Sequence, residues 1–251
     1  MILGINISLL LGLIIPPLIY ALIIYLTAPY RSVSFKNGLL FMMGGVVSIT
    51  LIHTIYLLIP SLIASTSTLN ESSFLKYFFR VALLEELVKY IMLVTIMKFI
   101  NKEGLIKHPF RYMFYFALVG LGFAVIENMT YVRMYGEEVL YIRTITSTIM
   151  HMIFGMIFGY WIGLSKIYKS KFENRSVFGV ITNKHKKLKV FIYTLIGFLS
   201  ALTYHGMYNY NLVTSEESSK IISMIIIVLG LLSCKLLANN LNTQWKNRMK
   251  K

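Results

Sequence analysis

The sequence predicts an all-α membrane protein, a polytopic bundle of about seven transmembrane helices. Hydrophobic residues make up 57% of the 251 residues and charged residues 14%, whereas soluble domains average about 45–50% and 25%. The mean hydropathy is +0.68. This composition excludes a disordered chain and a soluble nucleic-acid-binding protein.

Seven apolar stretches are long enough to cross a bilayer, which takes about 20 helical residues. They are residues 2–26, 38–60, 77–98, 112–133, 143–165, 188–210 and 220–239. The first has neither a basic leader nor a small-residue cleavage site, so we expect it to be retained as a helix. We divide the chain into two N-terminal helices with a loop (1–76), a four-helix core (77–212), and a final helix with a basic tail (213–251).

The distribution of Lys and Arg predicts the orientation, because cytoplasmic loops of membrane proteins are enriched in both. The first, third and fifth loops and the C-terminal tail hold 19 of the 25, and the opposite side holds five. The N-terminus is therefore predicted outside and the C-terminus inside. The net charge of +15 then forms a cytoplasmic rim facing anionic lipid, and no nucleic-acid partner is expected. The Ile, Lys, Asn and Tyr bias is typical of an AT-rich prokaryotic genome, so we expect the cell membrane of a prokaryote.

Two features of the composition limit the chemistry. The single cysteine, Cys234, cannot form an internal disulfide or a thiolate metal cluster. All ten acidic residues are glutamates. The absence of aspartate excludes the intramembrane proteases that use paired aspartates.

The third span contains three charged residues, Glu85, Glu86 and Lys89. Charged side chains at membrane depth are costly unless they are paired, so each is a functional candidate. Glu85 and Lys89 are four residues apart and share a helix face, and we expect them to pair. Glu86 points about 100° away from Glu85 around the helix. The Glu85–Lys89 pair therefore does not explain the presence of Glu86 in this span.

The next three spans carry further polar residues. They are Glu127 and Asn128, with Phe123 one turn before Glu127, in the fourth span; His151 in the fifth; and His205 and Asn209, four residues apart, in the sixth. After His151, glycine recurs every four residues at 155, 159 and 163, a pattern typical of close helix packing.

Depth connects these residues. At 1.5 Å per residue, Glu85 and His151 lie about 12 Å below the outer surface, Glu127 about 9 Å and His205 about 8 Å. They come from four helices of alternating direction, and chance placement would scatter them over about 30 Å. The sequence therefore predicts one polar cavity in the outer half of the bilayer.

Other polar residues are given structural explanations. We interpret His53, in the second span, as a packing residue. His108 and His185 fall in basic cytoplasmic loops. Arg80, Arg133 and Arg143 are interpreted as anchors at the outer membrane interface.

The polar residues resemble the motifs of a known family. The segments EELVK (Glu85 to Lys89), FAVIE (Phe123 to Glu127), His151 and HGMYN (His205 to Asn209) resemble those of the PrsW family. These are intramembrane glutamic-type peptidases, grouped with the CAAX prenyl endopeptidases and the bacteriocin-immunity membrane proteases. The motifs occur in the family's order over about residues 77–210, and FxxxE in place of FxxxH favours the PrsW branch.

The resemblance implies a catalytic core and a role for each residue. Glu85 would be the general base on water, with Glu86 as the competing choice, and Glu127 would hold or share the water. His205 and Asn209 would cradle the oxyanion, and His151 would orient water or assist proton transfer. Lys89, Phe123 and Asn128 would support them. The substrate would be a single-pass membrane protein such as an anti-sigma factor, cut on the extracytoplasmic side.

Three alternatives remain open on the residues alone. Two Glu and two His could bind zinc, as in a metal-dependent CAAX-type protease, although no HExxH is present and we expect no cofactor. A transporter would also bury Glu and His, but the prolines at 16, 17, 29, 60 and 109 lie outside the polar spans. A binding-only protein could keep the fold without turnover.

Overall fold

A computed structural model describes residues 7–28, 35–59, 77–100, 108–173, 179–213 and 217–250. Within these ranges the chain is helical and contains no strand. The helices are α1 (Ile7–Thr27), α2 (Phe35–Leu58), α3 (Leu83–Ile100), α4 (Phe110–Tyr135), α5 (Val139–Ile145), α6 (Ser147–Glu173), α7 (Gly179–Val213) and α8 (Glu217–Met249). A π-helical segment, Tyr77–Ala82, leads directly into α3.

The predicted all-α, multi-pass membrane fold is confirmed. In the described part of the chain, six helical stretches are long and apolar enough to cross a membrane: Ile7–Thr27, Lys36–Leu58, Phe110–Tyr135, Val139–Ile167, Lys187–Leu212 and Lys220–Met249. The remaining predicted span is α3, which has four charged residues among its 18. Because α3 packs against α2 and buries three of those charges, it belongs to the same bundle. The predicted orientation stays a prediction.

The centre of the bundle is the pair α4 and α6, which are buried along most of their length. Helix α2 packs on one side of α4, and α7 and α8 pack against α6. The other spans expose Leu, Ile and Val, as expected for helices in contact with lipid chains. The three regions drawn from the sequence thus pack into one bundle, and their division stays a prediction.

Glycine brings α4 and α6 together, as the four-residue stripe predicted. A Cβ built on Gly155 would collide with the backbone carbonyl of Phe116, and one on Gly159 would lie 2.5 Å from the Cα of Met113. On the other side, a Cβ on Gly120 of α4 would collide with the carbonyl of His151. The backbones approach closely only because these side chains are absent, and this contact fixes His151 against α4.

Helix boundaries differ from the predicted spans in two ways. The predicted fifth span, 143–165, is divided at Thr146 into the short helix α5 and the long helix α6. Helices α7 and α8 run beyond the predicted limits, to Gly179 and Met249. Hydropathy detects only the apolar part of a helix, whereas the backbone hydrogen bonds continue through the polar residues at its ends.

His108, which the sequence places in a basic loop, has a structural role at the start of α4. His108 is buried, and its Nδ1 accepts a hydrogen bond from the backbone N–H of Phe110 at 3.2 Å, which satisfies one of the free donors at the start of α4. Its ring packs edge-on against Trp245 of α8. Burial, together with the nearby Arg111, lowers the pKa of His108 to about 4, so the ring is neutral near pH 7.

Candidate active site

Three helices bring five titratable side chains together inside the bundle. Helix α3 contributes Glu85, Glu86 and Lys89, α6 contributes His151, and α7 contributes His205; all five are buried. We call this set the central cluster. Its members come from three of the four motif-bearing helices, and Glu127 of α4 adjoins it.

Lys89 lies at the middle of the central cluster. Its Nζ donates to Glu86 Oε1 at 2.9 Å and to Glu85 Oε2 at 3.4 Å, and it lies 3.1 Å from His151 Nδ1. The same ammonium lies 3.8 Å from the centroid of the Phe123 ring, a cation–π contact. The predicted Glu85–Lys89 pair is present, but Glu86 is the nearer partner because residues three apart also meet on a helix surface.

The contacts of His205 fix its tautomer. Its Nδ1 lies 2.8 Å from Glu86 Oε1. Because an ionised carboxylate can only accept a hydrogen bond, Nδ1 is the donor and carries the proton. Its Nε2 lies 3.7 Å from Glu85 Oε2, which is longer than a hydrogen bond. The ring stacks on Phe154, with 4.6 Å between centroids. His205 therefore directs an imidazole nitrogen toward Glu85.

His151 connects the central cluster to Glu127. Lysine has no acceptor, so the 3.1 Å contact with Lys89 makes Nδ1 of His151 the acceptor. The proton of the neutral ring then lies on Nε2, which donates to Glu127 Oε2 at 2.8 Å. Both ring nitrogens are engaged, so His151 is held in one orientation.

A second set of polar contacts surrounds Glu127, which we call the arginine network. Arg143 Nη2 donates to Glu127 Oε2 at 2.6 Å, and its Nε donates to Asn128 Oδ1 at 2.9 Å. Ser147 Oγ accepts from the same Nη2 at 2.9 Å and donates to Glu127 at 3.2 Å. Asn128 in turn donates to Thr148 Oγ1 at 2.8 Å. The network ties the end of α4 to α5 and to the start of α6.

The interpretation of Arg143 as an interfacial anchor is wrong. Its side chain is 9% exposed and paired with Glu127, and its guanidinium lies over the Tyr131 ring at 3.5 Å. The reason is the helix break at Thr146, which separates α5 from α6 and lets the side chain turn inward. One feature of the sequence indicated such a contact. From the sequence, Glu127 had no assigned cationic partner, and buried charges are normally paired.

We expect the Arg143→Gln variant to unfold at a lower temperature than the parent, because removing one partner of a buried pair costs about 3–5 kcal/mol. Thermal unfolding of the purified protein in detergent measures this effect. Arg133→Gln is the matched control, since Arg133 is exposed on the last turn of α4. Equal melting temperatures for the two variants would show that the Arg143 contacts do not stabilise the bundle.

The remaining predicted residues are placed as follows. Asn128 lies in the arginine network. Asn209 is half-buried, and among the described residues no hydrogen bond joins it to the central cluster. His53 is exposed on α2, so its interpretation as a buried packing residue is wrong. The side chains of Arg80 and His185 lie outside the described residues.

Three members of the central cluster have the geometry of a metal donor set. Glu85, His151 and His205 each offer one ligand atom, and the three atoms lie within 4.8 Å of one another. One carboxylate and two imidazoles are ligands that zinc takes in catalytic sites. We call these three residues the donor set, and their chemistry fits a divalent metal.

Comparison with known proteins gives the same family over most of the chain. Residues 37–233 match the model of a family described as PrsW family intramembrane metalloprotease. A Protease PrsW of Oceanobacillus iheyensis is 27% identical over 163 residues, which cover 65% of this chain and 66% of that protein. A Protease PrsW of Shouchella clausii is 30% identical over 158 residues, 61% of this chain and 64% of the relative.

A third relative, the Protease PrsW of Geobacillus kaustophilus, is 27% identical over 152 residues, 61% of this chain and 58% of its own length. The chain thus spans between 58% and 66% of the length of these curated relatives, which is less than two thirds. No solved structure matches. The family match begins in α2 and ends in α8, so it includes every residue of the central cluster and of the arginine network.

Proposed function

The chain belongs to the PrsW family of intramembrane proteases, and on this premise we propose that it hydrolyses a peptide bond of a membrane-anchored protein. The observation that carries the proposal is the buried Glu85–His205 pair. A carboxylate and an imidazole nitrogen face each other at 3.7 Å, inside a helix bundle that spans the membrane.

The geometry favours Glu85 over Glu86 as the general base. Glu86 holds short contacts to both Lys89 and His205, at 2.9 and 2.8 Å. Glu85 holds only the longer contacts of 3.4 and 3.7 Å, so it is the carboxylate with more capacity to accept a proton from water. Glu86 then acts by holding His205, as the aspartate holds the histidine in a Ser-His-Asp triad.

His205 has two successive tasks in this mechanism. In the resting tautomer its Nε2 carries no proton, so it accepts a hydrogen bond from the water that Glu85 deprotonates. When Glu85 passes the proton taken from water to Nε2, the imidazolium can donate to the oxyanion or to the leaving amine. Glu86, in contact with Nδ1, stabilises that imidazolium. His151 and the arginine network keep Glu127 in place beside the cluster.

The family description names a metalloprotease, and the donor set Glu85, His151 and His205 would hold such a metal. When bound, a divalent ion supplies polarisation of the scissile carbonyl. Glu86 and Glu127 would then orient the two histidines through their second ring nitrogens, the usual arrangement around metal ligands. Glu86 and Glu127 would keep these contacts with the two histidines in either case.

We further propose cleavage on the extracytoplasmic side of a single-pass substrate resembling an anti-sigma factor, with anionic lipid at the cytoplasmic rim. Support comes from the distribution of Lys and Arg and from the position of the central cluster near the start of α6 and the end of α7. Purified protein carrying Glu85→Gln should retain such a substrate in a crosslinking pull-down from its own membranes, while the parent releases it as two fragments. Equal recovery of intact substrate with both proteins would count against hydrolysis.

The sidedness has its own test. Cysteine introduced at Ser67 or Thr214, both outside the described residues, should react with a membrane-impermeant thiol reagent in intact cells, because both loops are predicted to face outward. Cysteine at Thr182 should react only after lysis. Native Cys234 is buried, and the parent protein, which has this cysteine alone, gives the background labelling. Labelling of Thr182→Cys alone would reverse the orientation and place the site at the cytoplasmic side.

A further inference from the structure

Each N–H donor of the Lys89 ammonium has an acceptor within the protein. Its three N–H donors are matched by three acceptors, Glu85, Glu86 and His151, at 2.9 to 3.4 Å. The Phe123 ring adds a cation–π contact. Lys89 is 6% exposed, so it is a resident cation of the buried cluster rather than a solvated surface charge.

These contacts overlap the donor set. Two of the three donor-set residues, Glu85 and His151, are partners of Lys89. The other nitrogen of His151 is held by Glu127, so His151 has no nitrogen outside these hydrogen bonds. A metal that binds His151 through Nδ1 must displace Lys89, and one that binds through Nε2 must displace Glu127.

Charge opposes simultaneous occupancy even where space allows it. A divalent ion among ligand atoms within 4.8 Å of one another would lie close to the ammonium that contacts two of the same residues. Like charges at such distances repel strongly in a protein interior. With Lys89 in place, the negative charge of Glu85 and Glu86 is also partly neutralised, which removes the attraction that a metal needs.

We propose that Lys89 acts as an internal counterion that competes with a divalent metal for the donor set, so that the cluster holds either the lysine ammonium or the metal. The central cluster therefore has two states, one with Lys89 bound to His151 and one with metal bound to it. Lys89 sets the affinity for metal by stabilising the first state.

The test is a titration of the purified protein with Zn²⁺ or Co²⁺ against a chromophoric chelator in detergent, without substrate. Lys89→Met, which removes the charge and keeps the length, should bind metal at least about tenfold more tightly than the parent, since a repulsive partner and a competitor both disappear. Adding His151→Ala to Lys89→Met should abolish the gain. Lys220→Met is the matched control, since Lys220 is exposed, and it should leave the affinity unchanged.

A Lys89→Met variant that is folded and binds metal no more tightly than the parent would overturn the proposal. If this variant does not fold, Lys89→Arg still tests it. Arginine keeps the cation, so its metal affinity should stay at or below that of the parent, and tighter binding would refute competition by charge. The inference rests on the proposed function only because both concern the central cluster. Because the titration needs no proteolysis, either can fail while the other stands.

Discussion

Replacing Glu85 by Gln should lower the rate of peptide hydrolysis by about 10²–10⁴-fold, the usual cost of losing a general base. Glutamine keeps the shape of the side chain and can still accept from Lys89, so the protein should remain folded in the membrane. The measurement is kcat and KM for release of a peptide fragment by purified protein in detergent. The loss should appear in kcat, because the base acts on water and not on substrate binding.

Glu86→Gln is the informative comparison. This change removes the carboxylate that holds His205 at 2.8 Å and Lys89 at 2.9 Å. We expect a smaller loss of kcat than for Glu85→Gln, together with a lower melting temperature, because two close contacts weaken. Glu138→Gln, at an exposed position, should match the parent in both. Wild-type rates for both buried variants would exclude a glutamate-based mechanism, and a larger loss for Glu86→Gln would assign the base to Glu86.

The fold could be predicted because the length and hydropathy of apolar stretches in a sequence identify membrane-spanning helices. The difficult case was α3, where four charges in 18 residues reduce the apolar signal, yet the surrounding apolar residues still indicated a helix. The break at Thr146 could not be predicted, since residues 143–165 are continuously compatible with one helix. A break of that kind depends on how α5 packs against α1 and α4, and such contacts have no local signature.

The clustering of these side chains could be predicted because a helix rises by a constant amount per residue. Glu85, His151 and His205 were assigned similar depths from counting alone, and they do meet. Counting gives depth but not the rotation of each helix about its axis. For this reason the sequence left Glu86 without a partner, although its carboxylate is shared by Lys89 and His205. Arg143 was missed for a related reason, because its direction depends on the break that follows it.

The clearest separation of catalysis from structure lies on α7, where His205 and Asn209 were both predicted to cradle the oxyanion. His205 has a hydrogen bond within the protein, so His205→Ala should lower both thermal stability and turnover. Asn209 has no hydrogen bond to the cluster among the described residues. Asn209→Ala therefore breaks no such bond in the free protein and should leave the melting temperature close to that of the parent.

If Asn209 donates to the oxyanion, Asn209→Ala should still lower kcat by about 10²–10³-fold with little change in KM, because such a bond strengthens only as charge develops in the transition state. Measurement of kcat, KM and melting temperature for His205→Ala and Asn209→Ala distinguishes a catalytic from a structural role for each residue. Asn211→Ala is the control on the same helix, since Asn211 donates to Ser223 of α8; it should lower stability and leave kcat unchanged. An Asn209→Ala protein with parental kcat would remove Asn209 from the catalytic set, and His205 would remain the only oxyanion donor proposed on α7.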